Sequence, residues 1–264
     1  MTVLRLYQID AFHHQVLRGN PAAVMPLAQW LPDELLQAIA LENNLSETAF
    51  FLPEQDGAFP LRWFTPAQEV RLCGHATLAT AHALFQEIGI TRPRITFQTL
   101  SGSLHVERLA TGYRLDFPAD AGTTIAPPPG LAAALGTAIQ TTIAGKDDLL
   151  VIVAHQQQVA DLAPDLAFIQ QLPYRGLIVS APGTAVDFVS RCFYPRFGIA
   201  EDPVTGSAHT LLTPYWAKTL GKNQLAARQI SARTGILACE YHGDRVWLDG
   251  QAVTYLRGEV FLPD

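Results

Sequence analysis

The sequence predicts an α+β protein of two similar lobes, each a set of strands wrapped about one central helix. Three observations predict it: an internal repeat, a proline-rich seam between the copies, and a glycine-opened run of small residues in each copy. The repeat is the most direct. Arg62-Trp63-Phe64-Thr65-Pro66 reappears as Arg191-Cys192-Phe193-Tyr194-Pro195. Beyond each copy a glycine opens a small-residue run, first Cys73-Gly74-His75-Ala76-Thr77 and then Thr205-Gly206-Ser207-Ala208-His209. Further on, Gln98 to Ala119 reads as two strands turning at Thr111-Gly112, and Gln229 to Ala252 reads likewise, turning at His242-Gly243.

Residues 3–10 and 22–27 alternate or run apolar and read as strands, separated by the turn Arg18-Gly19-Asn20-Pro21. Pro32 and Asp33 open a helix through Asn43, with Leu35, Leu36, Ile39 and Ala40 on one face. Residues 45–52 form a strand. His75 to Glu87 is helical by its Ala and Leu content. Its small residues extend nearly all round, which suits a helix enclosed on every side. The matching helix, 207–219, contains Pro214, which removes the bond to Thr210 and costs about 3 kcal/mol in a helix interior. A kink or an early end is expected there. Phe117-Pro118 to Pro127-Pro128-Pro129-Gly130 is stiffened by proline and reads as a linker. The lobes are therefore residues 1–118 and 119–264, with the last strands, 253–262, belonging to either.

A chain of 264 residues, 48% hydrophobic, buries a sizeable core. No run approaches the roughly 20 apolar residues of a membrane helix, and the first residues do not read as a signal peptide. A net charge of −6 without a Lys/Arg stripe argues against nucleic acid or an anionic membrane as partner. Three cysteines, none in a CxxC, fit a reducing, cytoplasmic compartment, with Cys192 and Cys239 as buried core thiols. Dinucleotide, P-loop and nucleophile-elbow motifs are absent.

The first turn of a helix carries unpaired N–H groups and the positive end of its dipole, so Gly74 and Gly206 each open a potential carboxylate site. Either glycine alone could merely permit a tight turn; the symmetric recurrence favours a binding cleft lined from both lobes. Alternation in Leu45-Ser46-Glu47-Thr48-Ala49 puts Glu47 on an apolar face. Desolvation there raises a carboxyl pKa and suits a group that takes and gives a proton; an edge strand whose Glu reaches solvent fits equally. His75 and Asp202 stand beside the two glycine-opened helices. His75 either orients substrate or caps its own helix. His82, seven residues on, is too far along the helix to share a zinc ion with it.

Four segments together resemble the phenazine-biosynthesis PhzF-like family. They are Arg18-Gly19-Asn20-Pro21-Ala22-Ala23-Val24, Asn44-Leu45-Ser46-Glu47-Thr48-Ala49-Phe50, Phe64-Thr65-Pro66 with Cys73-Gly74-His75-Ala76-Thr77, and Glu201-Asp202-Pro203-Val204-Thr205-Gly206-Ser207-Ala208. They occur in family order and span most of the chain. The resemblance implies the diaminopimelate-epimerase-like fold: two pseudo-symmetric lobes, each a mixed, β-barrel-like sheet around a central helix. It implies an isomerase that needs neither cofactor nor metal, often a homodimer, and a small carboxylate as substrate. By the same resemblance Glu47 is the catalytic acid/base, and His75 and Asp202 support it. Ser207 likewise matches a substrate-contacting or supporting residue of the family, and the two glycine-opened helix starts add the backbone of Gly74, Ala76, Gly206, Ser207 and Ala208 as the expected cradle for the substrate carboxylate. The related epimerases use two cysteines as a two-base pair. Here Cys73 takes the first position, but Pro203 stands at the second, which disfavours a two-cysteine racemase. A racemase using Glu47 and Cys73, or a silent binding protein, remain as alternatives.

Overall fold

The computed structural model describes residues 2–262. They fall into two compact units, residues 2–116 with 249–262, and Phe117–Leu248. Both are sheet-dominated with few helices, so the α+β class holds. No helix among the described residues is long and apolar enough to cross a membrane.

In the first unit, Thr2–Ala11 pairs antiparallel with Asn20–Pro26 on one side and with the returning strand Ala252–Leu262 on the other. Asn20–Pro26 runs parallel to Glu47–Phe51, which pairs antiparallel with Phe59–Phe64. The register sets Ala22 opposite Glu47, so Asn20 and Glu47 stand near the same end of adjacent strands. The helix Asp33–Asn43 covers one face through Leu36, Ile39 and Ala40, packed on Met25, Phe50 and Phe64.

The central helix of this unit is Gly74–His82, and every one of its residues is buried, as its small side chains require. The winding then widens into a π-turn over Ala83–Glu87. His82 ends the regular part, and burial holds its imidazole down to about 4, hence neutral at pH 7. Thr254 Oγ1 donates to Glu87, so it accepts from His82 Nε2; Nδ1 in turn accepts from the Tyr113 hydroxyl, both at 3.0 Å. This directed chain fastens the returning strand to the central helix. His82→Leu removes that partner from the buried Tyr113 hydroxyl and the half-buried Thr254 hydroxyl and is expected to lower unfolding free energy by about 1–3 kcal/mol, measured by urea denaturation.

The second unit repeats the devices of the first. Arg62 forks onto Glu69 at 2.7 and 2.8 Å and lies over Phe64; Arg191 forks onto Glu201 at 2.7 Å and lies over Phe193. The repeated Arg-x-Phe therefore ties a long strand to the short strand after it in both units. The expected hairpins also form, as Gly102–Arg108 with Tyr113–Pro118 and Gly235–Tyr241 with Arg245–Gly250. Cys192 and Cys239 are buried.

Three readings need correction. The helix His209–Leu220 runs through Pro214 without ending early, because Asp120 N–H donates to the Thr210 carbonyl that Pro214 cannot serve. The segment after Phe117 is not wholly a linker: Thr123–Ile125 pairs antiparallel with Thr141–Ala144. And Glu47 begins its strand rather than alternating within it. Thr48 through Phe51 are all buried, as in a strand covered on both faces, so period-two alternation carries no face information there.

Candidate active site

In the first unit the strand Glu47–Phe51 and the helix Gly74–His82 bring Glu47 and His75 together. His75 Nε2 lies 3.2 Å from Glu47 Oε2, with the carboxylate side chain 13% exposed and the imidazole buried. The two atoms are close without being aligned as a hydrogen bond, a common state before substrate tightens a site. Burial pushes His75 down to about 3, so the ring is neutral at pH 7. Asn20 Nδ2 stands 3.2 Å from Nδ1. With that amide as donor, Nδ1 accepts and the ring proton sits on Nε2, facing Glu47. Cys73 Sγ lies 3.5 Å from Nδ1. Cys73 is the extended residue before the helix, and its carbonyl accepts from Thr77 N–H and from Thr77 Oγ1. The N–H groups of Gly74, His75 and Ala76 thus form the helix's open first turn, which attracts an anion.

The second unit holds Asp202, Gly206, Ser207 and Ala208. Gln229 Nε2 donates to the Asp202 carbonyl (2.7 Å) and to Thr205 Oγ1 (3.3 Å), while its oxygen accepts from Thr205 N–H at 2.8 Å. Thr205 Oγ1 then donates to the Asp202 carboxylate. A single buried glutamine therefore aims Asp202 through Thr205. Gly206–Ala208 forms a turn leading into the helix His209–Leu220, and His209 Nδ1 donates to the Thr205 carbonyl at 2.8 Å. Thr77 to Cys73 and His209 to Thr205 are the same contact, four residues back, so Thr205 rather than Pro203 occupies the place of Cys73. Neither residue supplies a second thiol.

Ser207 has a charged neighbour. Arg175 Nη2 donates to Ser207 Oγ at 2.9 Å, and the same guanidinium forks onto Asp148, whose side chain is 5% exposed. Tyr194 stacks beside the guanidinium, and a Cβ on Gly176 would run into that ring. Arg175→Leu strands the Asp148 carboxylate and is expected to cost about 3 kcal/mol of unfolding free energy in urea denaturation.

Asn20, Thr205, Gln229 and Arg175 were not picked out by sequence reasoning. Asn20 sits within a quoted segment, whereas Gln229 and Arg175 lie far from the residues they hold and carry no local signal.

With this geometry in place, the comparisons decide the family. The model of the phenazine biosynthesis-like proteins, PhzC-PhzF, matches residues 9–258. The chain belongs to that family. A Pseudomonas aeruginosa relative named an uncharacterized isomerase is 51% identical, over 98% of this chain and 99% of its own. The crystal structure of a PhzF-family protein from Enterococcus faecalis superposes with a TM-score of 0.95 at 44% identity, covering 99% of this chain and 100% of the other. A hydroxyproline epimerase from Agrobacterium vitis, with trans-4-hydroxy-L-proline bound, superposes at 0.65 over 99% of this chain and 93% of its own. At 12% identity that likeness shows the fold alone, and the PhzF-like chain accordingly has the epimerase-like fold.

Proposed function

We propose that this PhzF-like protein is an isomerase that moves a proton within a small carboxylate-bearing molecule, with Glu47 as the acid/base and no cofactor. The observation that carries this is the Glu47 carboxylate standing 3.2 Å from a neutral, buried imidazole. Substrate binding aligns His75 Nε2–H with the Glu47 carboxylate 3.2 Å away and so orients that carboxylate toward the substrate. The open N–H groups of Gly74, His75 and Ala76 take the substrate carboxylate. Glu47 accepts a proton from an acidic C–H, the electron pair shifts along the conjugated system, and the resulting carboxylic acid protonates a second carbon. One C–H bond breaks, another forms, and no electrons are gained or lost. In the second unit, Gly206, Ser207 and Ala208 are assigned to substrate binding and Asp202 to supporting the proton transfer. The relatives' designation as isomerases supports the reaction class.

The test is a search for substrate in heavy water. Cell metabolite extract is incubated with the protein and with Glu47→Gln, then compared by mass spectrometry. A compound that gains deuterium or disappears with wild type alone supports the proposal; a compound equally changed by both removes Glu47 from it. One observation keeps a second reading open: Cys73 Sγ and a Glu47 carboxylate oxygen lie within 4.8 Å, so a racemase could use both. Loss of that same activity in Cys73→Ala would favour it.

A further inference from the structure

Cys73 Sγ, a His75 ring nitrogen and a Glu47 carboxylate oxygen lie within 4.8 Å of one another at the start of the helix Gly74–His82. We propose that these three residues bind a divalent ion of the zinc class, which inhibits the protein by engaging its acid/base. Thiolate, imidazole and carboxylate together are a donor set that suits zinc far better than magnesium or calcium.

The spacing favours it as well. With Zn–S of about 2.3 Å and Zn–N of about 2.1 Å, the 3.5 Å between Cys73 Sγ and His75 Nδ1 subtends about 105° at the ion, close to tetrahedral. The ion takes the Nδ1 lone pair that faces Asn20 Nδ2 at 3.2 Å and displaces that amide. Glu47 Oε2 lies 3.2 Å from Nε2, the other ring nitrogen, so its carboxylate swings toward the Nδ1 edge to complete the site, and water fills the fourth position.

Charge argues the same way. A thiolate and a carboxylate cancel the two positive charges of the ion, so the buried cluster carries no net charge once loaded and avoids the cost of a lone buried ion. The helix N-terminus also favours the thiolate form that the metal needs. By contrast, burial pushes the Cys192 thiol well up, and that sulfur is a poor ligand.

Metal binding itself is independent of the Glu47 mechanism; only the inhibition rests on it. The full-length protein, stripped with chelator, is titrated with zinc chloride by calorimetry and with cobalt chloride by absorption. One zinc equivalent and a near-ultraviolet thiolate-to-cobalt charge-transfer band are expected. Cys73→Ser should abolish the band, and it and His75→Gln should each weaken zinc by at least about tenfold. In wild type, zinc should shield Cys73 from iodoacetamide, read by mass spectrometry, which covers the case of a misfolded variant. Absence of the band, equal zinc affinity in Cys73→Ser, or unprotected Cys73 at saturating zinc would overturn the proposal. A Glu47→Gln protein that still turned over substrate would sink the inhibition and leave binding to be judged by these readouts.

Discussion

Replacing Glu47 with glutamine is expected to lower turnover by about 10³-fold, the usual scale for a positioned acid/base, with little change in melting temperature. The glutamine side chain has nearly the same shape and still offers an oxygen to His75 Nε2, 3.2 Å away. It cannot accept a proton from carbon and hold it as an acid. Substrate affinity should survive, because the N–H groups of Gly74, His75 and Ala76 do not depend on the charge at residue 47. A kcat collapse with KM nearly unchanged is therefore the expected split. A rise in KM alone would instead make Glu47 a binding residue.

The second large effect is on stability in mild acid. Burial holds His75 down to about 3, and His82 and His209 each to about 4. The unfolded chain takes up these protons near pH 6.5, so below that pH it binds more protons than the folded state. The sign follows: stability is intact above pH 6.5 and is lost as pH falls toward 4. Each histidine contributes a slope of about 1.4 kcal/mol per pH unit, and the three together about 4 kcal/mol per unit at full separation. The carboxyls held low by cations, Asp33 beside Arg62 and Glu87 beside Arg257, add their loss only below the ordinary carboxylate range. Urea midpoints between pH 7 and 5 therefore report the histidines. His82→Gln should make this dependence shallower by one proton; a flat profile from pH 7 to 5 would contradict the buried neutral assignment.

The fold was legible where the sequence repeats itself. Arg62 and Arg191 announced equivalent strands, and both make the same fork onto a glutamate and the same contact with a phenylalanine ring. The enclosed helix followed from its run of Gly, Ala and Thr. Of the two outcomes expected at Pro214, the early end does not occur, because Asp120, 90 residues away, donates to the Thr210 carbonyl. Alternation drew attention to Glu47, but Thr48 through Phe51 are all buried, so the pattern alone does not say which face its half-buried side chain meets. Its approach to His75 could not be read from spacing; it arises from a parallel strand pairing and a helix start that are distant in sequence. The same holds for Gln229 and Arg175, whose hydrogen bonds exist only once the strands are assembled.

The most direct measurement is proton transfer itself. Once the labelling screen supplies a substrate, wild type and Glu47→Gln are run in heavy water under single-turnover conditions, and deuterium is located in the product by NMR. Solvent-derived deuterium at the newly formed C–H, or the substrate's own hydrogen carried there, is predicted for wild type only. Equal transfer at equal rate by Glu47→Gln would contradict the assignment of Glu47 as the proton carrier.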